Sequence, residues 1–278
     1  MTDIDASTFE SEVHRAGDNL SPVRLGLLLA RECAYPDLRP SDYLARLEDM
    51  AADAQPRLQG CANSEARGAA LAEFLFETAG FRGNRSDYTD PRNSYLNQVL
   101  ERRLGLPITL SVVFLHLAER LGVPAKGVGM PGHFIVSVES EAGPVYLDPF
   151  NAGRRLSTSE CVELVQGSLG PAVVFDPLWL GPTPPREIVA RMLNNLRGFY
   201  VSVEDWPMAI GIVDRLLVLQ PDQAAHVRDL GVLHYRNGAV RRASQLLTEY
   251  LALSPGAQDA EAVRNGRDRL WEELARLN

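Results

Sequence analysis

Residues 108–121 are apolar on every side when they are drawn as a helix, and this segment constrains the fold more than any other. A surface helix keeps one polar face, so a helix that lacks one is surrounded by protein. Pro107 stands directly before the segment, and proline suits the first turn of a helix because an N–H there has no helical partner anyway. The sequence therefore predicts a central buried helix that begins at Pro107.

Helical patterns also dominate residues 1–90. Apolar residues recur there with helical spacing, which predicts three helices. Ser41 is predicted to be the N-cap of the second helix and Gly80 the C-cap of the third. Asn93 or Ser94 is predicted to cap a further short helix that precedes the central one.

After the central helix the spacing of apolar residues changes from a helical period to that of a strand. Residues 133–138 and 144–148 are predicted to be strands, and the short segment between them is predicted to be a turn. The sequence therefore predicts an antiparallel hairpin.

The C-terminal third of the chain contains an internal repeat. It follows a proline-rich segment, residues 176–186, which is typical of a linker. A period of 34 residues, with an alanine where helices cross and a proline at the end, is typical of tetratricopeptide units. Two ordinary helical hairpins are the alternative. The matched positions are Ala209 with Ala243, Leu219-Gln220-Pro221 with Leu253-Ser254-Pro255, and Leu230-Gly231 at the Leu-Gly position of such a unit.

Together these patterns predict an α+β fold that is predominantly helical. A helical part, residues 1–90, precedes a core with a small antiparallel sheet, residues 91–175. The linker then leads to the helical repeat tail, residues 187–278.

His133 and Asp148 fall on the two predicted strands. If the hairpin turns between Ser140 and Glu141, the two residues lie directly opposite each other on one face of the sheet. The Asp can then hold one ring nitrogen of the His and leave the other free to act on a substrate or a nucleophile. The alternative is a buried His whose ring is satisfied by a carboxylate, without chemistry.

Four motifs surround this pair: Asn93-Ser-Tyr-Leu-Asn-Gln-Val-Leu-Glu-Arg-Arg103, Gly105-Leu-Pro-Ile-Thr-Leu-Ser111, Pro131-Gly-His-Phe134 and Asp148-Pro-Phe-Asn151. Together with the repeat tail, they resemble the transglutaminase-like, papain-related superfamily, and within it most closely the bacterial SirB-type branch. The resemblance implies a transglutaminase-like core with a cleft beside the His133–Asp148 pair.

The resemblance also implies where a nucleophile belongs. Active members of the superfamily begin the central helix with a cysteine, and the family's spacing places Pro107 at that position. Proline has no thiol, and it lacks the backbone N–H that papain-like enzymes use to stabilise the oxyanion. Loss of one such donor costs about 100- to 1000-fold in rate.

Ser111 is the candidate to replace the missing thiol, because it lies one turn further along the helix than Pro107 and on a similar side. Other residues of the motifs are expected to contribute to binding, although capping and buried hydrogen bonds are the alternative for the polar residues of the short helix. The residues expected to border a binding cleft are Pro107, Thr109, Asn97, Glu101 and Asn151.

The composition of the chain limits the classes of partner that it is expected to bind. A net charge of −8 disfavours nucleic acid, no apolar run is long enough to span a bilayer, and the acidic start is unlike a signal peptide. Three scattered cysteines fit neither a disulfide framework nor a zinc site. A cytoplasmic protein without metal or cofactor is therefore predicted.

These features favour a non-catalytic transglutaminase-like protein that binds a protein or peptide through the cleft and the repeat tail, in a regulatory role. An unorthodox hydrolase or amidase, which uses His133 and Asp148 with Ser111 or water, is the alternative. A sensor that binds a small ligand in the cleft is a third interpretation.

Overall fold

The computed structural model describes residues 4–277, with side chains as far as residue 271, so the first three residues of the acidic start and the last residue of the tail lie outside it. The chain forms two compact units, Met1–Met192 and Leu193–Asn278. As predicted, the fold is predominantly helical and contains a small antiparallel sheet. No helix within residues 4–277 combines the length and the apolar character that crossing a membrane requires.

Four helices open the first unit: α1 (Phe9–Ala16), α2 (Pro22–Cys33), α3 (Pro40–Leu58) and α4 (Ser64–Ala72), which continues as a π-helix, Glu73–Thr78. The prediction that Ser41 caps the second predicted helix is wrong, because α3 begins at Pro40 and its N-cap is Arg39. The N–H and the hydroxyl of Ser41 instead donate to the carboxylate of Asp5, at 2.9 and 2.6 Å. A contact distant in sequence thus replaces the local cap.

Two helices follow, α5 (Leu96–Arg102) and α6 (Pro107–Arg120). Neither Asn93 nor Ser94 caps α5, whose N-cap is Tyr95. The Asn93 side chain is fully buried, and its Nδ2 donates to the carbonyl oxygen of Asp87 at 2.8 Å. It therefore holds the loop before α5 in place.

Helix α6 is the centre of the first unit, as predicted. It begins at Pro107, and every residue from there to Phe114 is buried. Helices α2, α3, α4 and α5 all contact it. These neighbours explain why the segment lacks a polar face.

Six short strands complete the first unit. β1 (Arg82–Gly83) and β2 (Leu104–Gly105) form a parallel pair. The antiparallel sheet has the order β3 (Ala125–Val128), β4 (Ile135–Val138), β5 (Val145–Asp148) and β6 (Arg154–Leu156), and α7 (Thr158–Leu169) follows it. The predicted hairpin corresponds to β4 and β5. The outer strands were not predicted, because they are too short for a period to be recognised.

The tail consists of helices: α8 (Pro185–Ser202), α9 (Trp206–Leu219), α10 (Ala224–Arg236), α11 (Val240–Leu253) and α12 (Ala260–Leu277). Helix α11 begins and ends 34 residues after α9, and Ala209 and Ala243 are fully buried. A Cβ atom on Gly231 would lie 2.7 Å from Leu247 Cδ2. Helices α10 and α11 therefore pack so closely that a glycine is needed between them.

Candidate functional site

The side chains of His133 and Asp148 meet at the end of the hairpin. Asp148 is the last residue of β5, His133 lies two residues before β4 begins, and His133 Nε2 is 3.1 Å from Asp148 Oδ2. The predicted register is wrong by two positions, because β4 pairs Val136 with Leu147. A shift of two residues keeps a side chain on the same face of a strand. The pair therefore forms diagonally rather than directly across.

Asp148 is fully buried, and its carboxylate is surrounded by donors. Oδ1 accepts from the backbone N–H groups of Phe150 and Asn151, at 3.1 and 3.3 Å, and Oδ2 accepts from Asn151 Nδ2 at 2.6 Å. Burial by itself raises the pKa of this carboxyl, but the hydrogen bond and charge of His133 and the hydrogen bonds from Asn151 outweigh it, so the pKa lies below its ordinary value. Asp148 is a carboxylate at neutral pH.

The contact with Asp148 fixes the imidazole of His133. Its Nε2 is engaged by the carboxylate, whereas Nδ1 has no hydrogen-bond partner among the described side chains, residues 4–271. The ring stands edge-on to Phe150, with 6.4 Å between ring centres, and the side chain is 12% exposed. One nitrogen of a well-oriented ring is therefore available to a bound molecule.

The loop that carries His133 is held by residues from far along the chain. Arg191 Nη2 donates to the carbonyl oxygen of Met130 at 3.0 Å, and the guanidinium carbon lies 5.8 Å from the centre of the Phe134 ring. Thr183 Oγ1 accepts from the N–H of Gly129 at 2.8 Å. These contacts could not be predicted from the sequence, because no local pattern connects residues more than fifty positions apart.

The hydroxyl groups of α6 form hydrogen bonds with the backbone. Thr109 Oγ1 accepts from the N–H of Leu106 at 2.9 Å and donates to the carbonyl oxygen of Asn93 at 2.8 Å, so it caps the helix. Ser111 Oγ donates to the carbonyl oxygen of Pro107 at 2.7 Å. Both side chains are fully buried. Thr109 thus bonds to the backbone around the start of α6, and no hydrogen bond in the described part of the chain joins Ser111 to His133.

Asn97 and Glu101 lie on α5 and connect it to α3. Glu101 accepts from the hydroxyl of Tyr43 and from Gln98 Nε2, the latter at 3.0 Å. Burial, together with the hydrogen bond and the charge of Glu101, raises the pKa of Tyr43 to about 12. Asn97 is buried. Within the described residues, no hydrogen bond links either side chain to His133 or Asp148.

Asn151 connects the pair to a pocket that the sequence analysis did not single out. Its Oδ1 accepts a hydrogen bond from Arg85, while its Nδ2 donates to Asp148. The pocket has a volume of about 610 Å³. The loop around β1 and the turn after β5 form it together, and this juxtaposition is visible only in three dimensions. The lining residues are Arg82, Gly83, Arg85, Phe150, Asn151, Ala152 and Arg154.

The three cysteines differ in burial, and Cys161 is the most buried of them. Cys161 lies on α7 and is fully buried, which raises the pKa of its thiol to about 11, with a further contribution from the charges of Glu160 and Asp148. A thiol of this kind stays protonated and unreactive at neutral pH. Cys33 and Cys61 are half-buried, and all three form no disulfide. Among the side chains that the structure describes, residues 4–271, no group of three or more His, Cys, Asp and Glu could hold a metal ion.

Comparison with known proteins adds the following similarities. Residues 41–194 match the family model described as the transglutaminase-like superfamily, and residues 196–266 match a tetratricopeptide repeat model. A UPF0162 protein of Xylella fastidiosa strain 9a5c is 38% identical over 250 residues, which cover 89% of this chain and 89% of that protein. The UPF0162 protein YchA of Escherichia coli strain K12 is 24% identical, with 88% and 91% covered. Human F-box only protein 21 is 30% identical over 55% of this chain and 25% of its own length. No solved structure matches.

Proposed function

The chain belongs to the transglutaminase-like superfamily, among the UPF0162 proteins, and from this premise we propose that it acts by binding a protein or peptide and not by catalysis. Pro107 is the observation that carries the proposal. It occupies the first position of α6, where the resemblance places the cysteine of active members. A proline there supplies neither a thiolate nor a backbone N–H for an oxyanion.

Two residues that could replace the missing thiol, Ser111 and Cys161, have surroundings that do not favour this role. The hydroxyl of Ser111 is buried and donates to the backbone of its own helix. The thiol of Cys161 is buried, and its raised pKa keeps it protonated. A hydrolase on this scaffold would therefore have to use water activated by His133.

The retained pair serves binding in this proposal. Asp148 fixes the ring of His133, so that Nδ1 can donate to or accept from a peptide group at little cost in side-chain entropy. The adjoining pocket offers room for a peptide segment. The cleft then binds its ligand through the rigidly held ring of His133 and catalyses no reaction of the ligand.

The repeat tail offers a second binding surface. Residues 196–266 match a tetratricopeptide repeat model, and arrays of such repeats present extended surfaces that bind proteins. The motifs that resemble the SirB-type branch favour a regulatory role, and the composition favours the cytoplasm. We propose that the cleft binds one peptide and the tail a second partner.

The hydrolase alternative rests on one observation: a histidine whose Nε2 is held by a buried carboxylate, with Nδ1 left over, can act as a general base toward water. The full-length protein is tested against a panel of peptide, ester and amide substrates and, in parallel, against an array of peptides. We expect no turnover above the rate in buffer, and peptide binding that His133→Ala abolishes.

The control is His14→Ala, which removes an exposed histidine on α1. Turnover that persists in His14→Ala and disappears in His133→Ala would replace the binding proposal with the hydrolase. Equal peptide binding by both variants would also contradict the proposal, because the pair would then contribute nothing to the cleft.

A further inference from the structure

Three arginines and no carboxylate line the pocket beside the His133–Asp148 pair. Arg82 and Arg85 are exposed, and neither forms an ion pair within the described part of the chain. Arg154 shares its charge with Glu160, at 3.1 Å. This concentration of positive charge runs against the composition of a chain with 28 basic and 36 acidic residues. A concave surface with two unneutralised guanidinium groups attracts an anion.

Arg85 is already oriented for such a contact. It donates to Asn151 Oδ1, and its guanidinium carbon lies 5.8 Å from the centre of the Phe150 ring. Asn151 is itself fixed, because its Nδ2 donates to the buried carboxylate of Asp148. A guanidinium with a fixed plane offers its remaining N–H groups as a fork that fits a carboxylate. Little side-chain entropy remains to be lost when a ligand binds.

An apolar contact adjoins the charged one. Tyr88 is half exposed and stands edge-on to Phe150, with 5.7 Å between ring centres. The volume of the pocket falls within the range of roughly 300–1,000 Å³ that holds drug-sized ligands. A single inorganic anion would leave most of this space empty. A peptide segment with an acidic and an apolar side chain would use both surfaces.

We infer that this pocket binds an acidic peptide segment, with a carboxylate on Arg82 and Arg85 and a neighbouring apolar side chain on Tyr88 and Phe150. The inference rests on the proposed function, since it names the chemical class of the peptide in the cleft. It also gives Asn151 a definite role, which is to couple the arginine that receives the ligand to the His133–Asp148 pair.

Fluorescence anisotropy with two labelled hexapeptides tests whether the pocket prefers an acidic peptide. The acidic peptide is Asp-Glu-Phe-Asp-Glu-Phe, and the neutral one is Asn-Gln-Phe-Asn-Gln-Phe. We expect the full-length protein to bind the acidic peptide at least about tenfold more tightly than the neutral one, and to lose this preference in the double variant Arg82→Gln/Arg85→Gln. Arg82→Lys/Arg85→Lys keeps the charge but loses the fork, so its affinity for the acidic peptide should lie in between.

The matched control is Arg39→Gln/Arg120→Gln. It removes the same amount of charge from exposed arginines elsewhere, which pair with Asp5 and Glu48. We expect the control to keep the full preference for the acidic peptide. Circular dichroism melting curves establish that all three double variants are folded before affinities are compared.

Three results would overturn the inference, and each bears differently on the proposed function. Equal binding of both peptides, unchanged in Arg82→Gln/Arg85→Gln but lost in His133→Ala, would leave a binding cleft without acidic preference. Displacement of the acidic peptide by stoichiometric inorganic phosphate or a short oligonucleotide would assign the arginines to a phosphate ligand. Failure of wild-type protein to bind either hexapeptide, together with turnover in the substrate panel, would reject both.

Discussion

A buried charge at Asp148 is kept ionised by its immediate neighbours. Two backbone N–H groups, an amide and an imidazole converge on one carboxylate that has no access to solvent. The backbone donors come from the turn Pro149–Asn151, which Asp148 caps. The same residue thus ends the strand, starts the turn and orients His133. A change at this position is expected to affect stability as well as binding.

Asp148→Asn is expected to lower the free energy of unfolding by about 2 kcal/mol, because the new amide places a donor among four existing donors and removes the negative charge. Urea denaturation at neutral pH measures the loss. The control is Asp176→Asn, at a partly exposed position that caps a similar turn, Pro177–Leu180. Its expected cost is below about 1 kcal/mol. Equal losses in the two variants would show that the donors around Asp148 do not depend on its charge.

At the scale of elements, the buried carboxylate of Glu12 joins α1 to α2. Glu12 is 1% exposed, and Arg15 and Arg24 lie 2.6 and 2.5 Å from it. Burial raises the pKa of Glu12, but the two guanidinium groups lower it by a larger amount. The pKa therefore lies below its ordinary value of 4.5. A carboxyl whose pKa is lower in the folded protein stabilises the fold above the ordinary value and loses that contribution as the pH falls.

Glu12→Gln is therefore expected to cost about 2 kcal/mol at pH 7, since Arg24 loses a buried partner, and progressively less as the pH falls below about 4. Urea denaturation of both proteins across this pH range gives the difference. Glu10→Gln, on the exposed side of the same helix, should show no such dependence. A cost that stays constant with pH would mean that the charge of Glu12 does not hold the two helices together.

The contact between β1 and the turn after β5 leaves no room for a side chain at Gly83. A Cβ atom there would lie 2.5 Å from Phe150 Cδ2 and 2.6 Å from the Phe150 carbonyl oxygen. The ring that forms the floor of the pocket is therefore pressed directly against the backbone of β1.

Gly83→Ala is expected to destabilise the protein by about 2 kcal/mol and to weaken binding of the acidic peptide, because Phe150 must move. Thermal unfolding and anisotropy measure the two effects. Gly167→Ala, in α7 with open space around it, should instead be neutral or stabilise the helix by up to about 1 kcal/mol. Unchanged peptide binding in Gly83→Ala would show that the position of the Phe150 ring does not affect binding of the peptide.

How much of the structure can be predicted depends on how far apart along the sequence the interacting residues lie. Helix α6, the hairpin of β4 and β5, and the 34-residue period of the tail could be predicted, because each depends on a pattern within a few tens of residues. The His133–Asp148 pair was found despite a wrong register, since only the face of the strand mattered. The support from Arg191 and the pocket around Arg85 could not be predicted, because they depend on which loops meet in the fold.

At the scale of the whole molecule, charge is unevenly distributed. The chain carries a net charge of −8, yet its proposed peptide subsite contains three arginines. The net charge repels long polyanions, while the local cluster attracts a short acidic segment. Such a distribution favours selective binding of peptides over nonspecific binding of nucleic acid.

A duplex oligonucleotide is accordingly expected to form no complex at about 1 μM protein and physiological salt, where nonspecific DNA binders have dissociation constants of roughly 100 to 1 μM. Electrophoretic mobility shift measures this. The Arg82→Gln/Arg85→Gln variant should behave identically. A shifted band that this variant loses would show that the arginines bind phosphate groups in preference to carboxylates.

Pro107 also determines how this protein can be detected. Surveys of thiol hydrolases rely on electrophiles that form a covalent bond with an activated sulfur, and the start of α6 has no sulfur to react. The nearest substitute by chemistry, Cys161, is buried and protonated. Under the proposed function, such surveys would not label the start of α6 even when the cleft holds a peptide. A ligand would then have to be sought by equilibrium binding, and an inhibitor would have to compete for the arginines and the aromatic pair without a covalent attachment point.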